Sequence, residues 1–292
     1  MGSSSTKAIR LIVNADDFGA SQQVNEAVIR AHREGVLTSC SLMVTGEAFE
    51  QAVAMAKEHP SLAVGLHLVV VMGRSVLPPA VIPNLVDEHG YFSNNPLSTG
   101  LKYYFSKPAQ AELEKELTAQ FERFHRTQLP FSHIDGHLHM HAHPVVFKLA
   151  MKLGRQFKVQ RMRVPQEELG LALRFSAEHF FRKTLHALFF RCLSGHMKRR
   201  LREKQFLFSD RVYGTLQTGE LNLQYLLFLL KNLNSESNEI HCHPAIFQTT
   251  SLNVRQQCQA AEFEALTDPK VREFLNTSII QLTNYFELES CK

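Results

Sequence analysis

Polar and apolar residues follow two alternating periods along most of this chain. Ile9 to Ala15 is a short, mostly apolar run of strand type that ends in Asp16-Asp17-Phe18-Gly19. Behind it Val24, Ala27, Val28 and Ala31 recur at the 3.6-residue spacing of a helix, with Ser21 as N-cap and Gly35 as stop. Ser41 to Val44 reads as a second strand, and Phe49, Ala52, Val53 and Ala56 as the apolar face of a helix ending before Pro60. Leu62 to Val71 is almost wholly apolar, as expected of a parallel strand covered on both faces, with His67 its one polar interruption.

The segment Gly73–Pro108 breaks the rhythm as a long, proline-punctuated excursion, and loops of that length inside compact domains usually act as binding loops or lids. Helical spacing returns at Leu113, Leu117, Phe121 and Phe124 and leads into a strand that enters a histidine-rich stretch. A helix follows from Pro144 to about Phe157, then a short strand at Arg161–Pro165. After a basic, aromatic region come a leucine-rich helix (Leu221–Leu233), a strand at Glu239–Cys242 closed by His243-Pro244, helices around Ala260 and over Pro269–Leu275, and a last strand, Ser278–Thr283. Strands alternating with helices in this way predict βαβ units, a parallel sheet and an α/β fold. No repeat or linker divides the chain, so residues 9–292 are expected to form one domain behind a disordered leader at 1–8.

Composition narrows the class. With 44% hydrophobic and 21% charged residues the chain is of globular type. Cys40, Cys192, Cys242, Cys258 and Cys291 are odd in number and lack C-x-x-C spacing, which argues against a disulfide framework or structural zinc knot and for a reducing compartment. No apolar run is long enough for a signal peptide or a membrane span, so a cytoplasmic location is expected. The net charge of +4 is unevenly spread: Arg174–Arg211 holds ten Lys/Arg against three Asp/Glu, a local balance of +7, leaving −3 elsewhere.

The most unusual pattern is H-I-D-G-H-L-H-M-H-A-H-P, residues 133–144. His133, Asp135, His137, His139, His141 and His143 alternate with apolar or small residues, so an extended strand would carry one imidazole-rich face. Neutral imidazole is the commonest metal-ligating side chain. By itself such a tract can be a surface run that binds metal by accident. Four separate strand ends, however, carry chemistry: Asp16-Asp17, His67, His137 with His139, and His243. In parallel α/β folds catalytic groups gather at the carboxyl ends of strands. Two imidazoles and one carboxylate suit a borderline divalent ion with open coordination positions. Two adjacent carboxylates can then divide the work, one binding the ion and the other taking a proton from the attacking water, while a histidine across the pocket protonates a departing nitrogen. No G-x-S-x-G or phosphate-cradling glycine loop is present.

Four motifs, N-A-D-D-F-G at 14–19, V-G-L-H at 64–67, H-I-D-G-H-L-H at 133–139 and H-C-H-P-A at 241–245, resemble in order and spacing the YdjC-like carbohydrate deacetylases. Within that family V-M-G-R-S-V-L-P-P at 71–79, R-V-P at 163–165 and the insertion that follows are most similar to the hopanoid-biosynthesis-associated N-acetylglucosamine deacetylases. The resemblance implies a distorted (β/α) barrel of mostly parallel strands that removes the acetyl group from an N-acetylglucosamine unit. It implies one divalent ion, zinc or magnesium, on Asp17, His67 and His137, with Asp16 as general base and His243 as acid. His139 is expected to line the sugar site. Arg163 matches, more loosely, a position where related polysaccharide deacetylases hold the base with an arginine, and it is grouped with His139 on the substrate-binding side. Simple chitooligosaccharide members lack a basic insertion like 174–211. Its residues 174–204 read as amphipathic helices suited to an anionic bilayer, at the inner face of the membrane, and no nucleic-acid motif accompanies their charge. The partners expected are therefore an N-acetylated sugar or glycolipid and a membrane surface, not nucleic acid. The competing readings are a deacetylase of a soluble N-acetyl sugar such as a chitooligosaccharide, and a metal- or lipid-binding barrel without turnover.

Overall fold

The computed structural model describes residues 8–249 and 251–288. The leader expected at 1–8 lies outside these residues except for Ala8, as does Cys291. The chain order is β1 (Ile9–Phe18), α1 (Gln22–Glu34), β2 (Ser39–Leu42), α2 (Phe49–Glu58), β3 (Ala63–Leu68), α3 (Pro96–Phe105), α4 (Lys107–Arg126) and β4 (Phe131–Gly136). It continues with α5 (Pro144–Gln156), α6 (Leu169–Phe175), α7 (Phe180–Glu203), β5 (Arg211–Tyr213), α8 (Leu223–Asn232), β6 (Ser237–Cys242), α9 (Val254–Thr267), α10 (Pro269–Thr277) and β7 (Ile280–Thr283).

All strand pairs are parallel, in the order β4-β3-β2-β1-β6-β5, and β7 adds to the first half of β1 at Ile9–Ile12. The two edges approach each other through residues 161–166. Ile134 bridges Met162, Arg161 bridges Leu207, and the Val212 N–H donates to the Gln166 carbonyl at 3.0 Å. The result is a distorted (β/α) barrel whose seam is made of single-residue bridges. Outside the sheet, apolar stripes at helical spacing pack inward: Val24, Ala27, Val28 and Ala31 of α1, Leu113, Leu117, Phe121 and Phe124 of α4, and Val146, Phe147, Ala150 and Leu153 of α5.

Three expectations change on contact with the structure. The alternation of 133–144 does not continue as a strand: β4 ends at Gly136, and 137–142 form a 3₁₀ turn with Leu138 and His139 in the left-handed region (φ 51° and 55°). A Cβ on Gly136 would lie 3.0 Å from the Leu68 carbonyl oxygen and 3.3 Å from the His141 Cβ, so the chain turns where two segments approach closely. The excursion 73–108 contains a helix, α3, capped by Asn95 with Pro96 at its first position. Its irregular part is held down by α4, where Glu116 accepts from the Val76 and Leu77 amides and Glu112 from the Asn84 amide and side chain. Finally, the strand expected to run to Val71 ends at Leu68 because Gln120 takes over from the sheet, its amide bonding both the N–H and the carbonyl of Val69.

The basic insertion consists mainly of one 24-residue helix, α7, entered from the last residues of α6. Only Lys183, Ser194, Met197 and Leu201 of α7 are buried, while Phe181 and Leu185 are 85% and 72% exposed. No helix among the described residues is long and apolar enough to cross a membrane.

Candidate active site

Register brings a polar layer to the carboxyl ends of the strands. Asn14 lies level with His241, and His67 with Asp135. A regular strand would send Asp16 and Asp17 to opposite faces. Asp17 instead sits in the left-handed region (φ 62°), beside a break in the β1–β2 register between Ala15 and Phe18. The Asn25 side chain accepts from the Gly19 amide at 2.7 Å and Asp17's carbonyl accepts from Ala20, which fixes the turn. Both carboxylates therefore serve one pocket.

Asp17 Oδ1 lies 3.3 Å from His67 Nε2 and 3.0 Å from His137 Nδ1. One ligand atom from each of the three lies within 4.8 Å of those of the other two. Bonds of about 2.1 Å to a tetrahedral or octahedral ion would separate neighbouring donors by roughly 3.0–3.4 Å, so these spacings fit a single ion. His67 is oriented for it: its Nδ1 meets Asp135 Oδ1 at 2.8 Å, which leaves Nε2 toward Asp17. Such carboxylate–histidine pairs fix the tautomer of a metal-binding imidazole. Gly65, two residues earlier on the same face, leaves room for His133, since a Cβ there would lie 2.4 Å from that ring. His133 is buried between Ser41, Ser132 and a stacked Tyr285, and burial pushes its pKa down to about 3. It is a structural member of the layer.

Asp16 is held differently. Both its oxygens receive the Arg163 guanidinium at 2.7 Å, and Asn14 donates to Oδ1 at 2.9 Å. Burial works against its charge, yet Arg163 holds the carboxyl well below the usual range. Asp17 is likewise held low, the hydrogen bonds from His137 and His67 outweighing burial. Arg163, expected toward the substrate, is fully buried, and it also contacts Asp135 at 2.9 Å and Glu239 at 2.7 Å. Its guanidinium touches carboxylates on three strands, the base-holding contact that the looser match also implied. Asp135 too is held down by Arg163 and His67 against burial. Burial raises the Glu239 pKa, while Asp16, Asp17 and Asp135 are all held low. Burial alone would lower the His67 pKa, but the carboxylates, Asp135 foremost, lift it to about 10. This carboxylate-rich pocket favours positive charge, as a metal ion would supply.

Opposite the triad, His243 Nε2 lies 4.0 Å and His241 Nδ1 3.8 Å from Asp16 Oδ2. The His243 amide donates to the buried Glu262 carboxylate. His139, carried by the 3₁₀ turn, sets its ring 5.0 Å from His241. Asp135, His241, Glu239 and Glu262 were not singled out from the sequence. Asp135 sits within the histidine motif, and Glu239, His241 and His243 alternate along and just past β6, which is the signal that could have found them.

A parallel α/β barrel thus carries at its strand ends an aspartate–imidazole cluster that could hold a metal ion, with a second, arginine-held aspartate beside it. More specifically, the chain belongs to the YdjC-like protein family, whose sequence model matches residues 10–277. It is 32% identical over 278 residues to a carbohydrate deacetylase of Geobacillus stearothermophilus, covering 94% of this chain and 96% of that one. A carbohydrate deacetylase of Brevibacillus brevis is 46% identical over 151 residues, 52% of this chain and 58% of the relative. The crystal structure of a candidate cellobiose-phosphate cleavage protein from Enterococcus faecalis V583 superimposes with a TM-score of 0.70 at 26% identity, covering 96% and 98% of the two chains.

Proposed function

We propose that residues 9–292 form one metal-dependent N-deacetylase, a hydrolase that cuts the acetyl amide of an N-acetylglucosamine unit carried on a hopanoid glycolipid. The observation that carries the reading is the division of labour between adjacent aspartates. Asp17 converges with His67 and His137 on a point suited to a divalent ion, zinc or magnesium, while Asp16 is tied to Arg163 and takes no part in that triad. Asp17, His67 and His137 would hold an ion that would supply Lewis acidity toward the acetyl carbonyl and water. Asp16, kept ionised, accepts the proton of the attacking water, and Arg163 and Asn14 fix the direction of its lone pairs. His243 lies across the pocket, anchored through its amide to Glu262, and donates a proton to the departing sugar nitrogen. His139 bounds the sugar site.

The lipid-linked substrate rests on the sequence resemblance and on α7, whose exposed Phe181 and Leu185 stand beside basic residues. That face suits peripheral contact with an anionic membrane from the cytoplasmic side. The relatives' description as carbohydrate deacetylases also accommodates a soluble sugar. Acetate release from an N-acetylglucosaminyl lipid measured against a chitooligosaccharide separates the two: faster turnover of the lipid-linked sugar is expected, and preference for the free oligomer would overturn it. Asp16→Asn should retain the metal and lose acetate release by two orders of magnitude or more (about 10²–10⁴-fold for a general base). Unchanged turnover in that variant would refute the assignment.

A further inference from the structure

A groove of about 580 Å³ opens beside the active site between α3 and α7, floored by the 3₁₀ turn. None of its lining side chains is an Asp, Glu, Lys or Arg. Leu101 and Phe105 of α3 stand 53% and 73% exposed, Phe189 of α7 59%, and Leu138 of the floor 48%. A contiguous apolar surface of this kind, rimmed by polar residues, usually has a ligand or partner, and the volume is that of a small-molecule site.

Its position decides the occupant. Leu138 and His139 of the floor directly follow His137, whose Nδ1 lies 3.0 Å from Asp17. The His139 ring reaches both ways, 5.0 Å from His241 at the catalytic end and 5.7 Å from Phe190 in the groove wall. A sugar over Asp16 and Asp17 therefore has the groove as its next surface past His139. From this continuity we infer that the α3–α7 groove is an aglycone subsite, holding the apolar, uncharged body to which the N-acetylated sugar is attached. The inference rests on the deacetylase reading above and adds to it the residues that select a lipid-linked substrate. The left-handed Leu138 and His139 gain a purpose: they present one side chain to the groove and the other between groove and catalytic groups.

The test uses the metal-loaded full chain and N-acetylglucosaminides with methyl, butyl, octyl and dodecyl aglycones below their micelle concentrations. Dissociation constants are measured by calorimetry and acetate release in parallel. Each buried methylene should tighten binding by up to about fourfold until the groove is filled. In Leu101→Gln/Phe189→Gln, both exposed and outside the catalytic groups, the gain with length should be lost while the methyl glycoside binds and turns over as in the wild type. A dissociation constant independent of aglycone length in the wild type would overturn the subsite. If the variant also fell off anionic phosphatidylglycerol vesicles, that same result would assign the face to a bilayer. Length-dependent binding without acetate release from any glycoside would leave the subsite standing and defeat the deacetylase reading.

Discussion

Asp135→Asn tests the proposed ion site without touching the three residues proposed to hold the ion. Asp135 accepts two hydrogen bonds, Oδ1 from His67 Nδ1 at 2.8 Å and Oδ2 from Ser41 Oγ at 2.6 Å, and its Oδ2 forms an ion pair with Arg163 at 2.9 Å. An asparagine offers one acceptor and one donor in the same space. With its oxygen toward His67, the amide nitrogen faces Ser41 and Arg163. Ser41 can turn its proton to His133 Nε2, 3.2 Å away, but Arg163 has no such escape and loses a buried acceptor. With the amide reversed, its N–H₂ drives the proton of His67 onto Nε2, which faces Asp17. Either way His67 loses the charge that orients it, and removal of such partners lowers metal affinity about 10–100-fold, or roughly 1.4–2.7 kcal/mol. Weakening the buried ion pair with Arg163 adds a cost in folding stability. Zinc titration calorimetry, with thermal melts with and without metal, reads both effects. A variant that binds zinc within twofold of the wild type while keeping its circular dichroism would refute the orienting role of Asp135.

Other consequences can be read at the bench. Glu167 is half-buried, accepts from the Leu216 amide and the Tyr225 hydroxyl, and is pushed by desolvation up to about 7. A carboxyl whose folded pKa lies above its unfolded value of about 4.5 binds more protons folded, so it makes the fold less stable as pH rises from 4.5 to 7. Glu167→Gln, whose amide can still accept from Leu216 and donate to Tyr225, should flatten that decline and raise the melting temperature at pH 8; a steeper decline would contradict the argument. Gly65→Ala puts a methyl 2.4 Å from the His133 ring, which the Tyr285 stack and two serines hold in place. Overpacking of this kind costs about 1–3 kcal/mol, read by denaturant titration, and a neutral result would show that His133 can move. His243→Ala should slow acetate release while leaving metal content unchanged, and loss of metal from that variant would place His243 among the ligands instead.

The fold was legible where a local period sufficed. Alternating strands and helices indicated a parallel α/β fold, the family resemblance implied the barrel, and the Asp16-Asp17 pair, His67 and His243 stood out as polar residues at strand ends. What escaped depends on distant partners. β5 is three residues long and exists because it pairs with β6, so no local pattern marks it. The inner stripe of α4 carries Glu112, Glu116 and Gln120 among its apolar residues, polar groups that make sense only beside the loop amides they satisfy. Arg163 binds an aspartate 147 positions away, a pairing that the resemblance pointed to but no local pattern marks. The histidine alternation misled because a 3₁₀ turn and an extended strand can carry the same H-x-H spelling, and only the close approach at Gly136 ends the strand there.

Zinc-edge anomalous diffraction from crystals grown with zinc bears most directly on the metal centre. A single strong peak about 2.0–2.2 Å from Asp17, His67 Nε2 and His137 Nδ1 is the expected result. A peak instead among Asp16, His241 and His243, which also lie close enough together to hold an ion, would contradict the division of roles between the two aspartates.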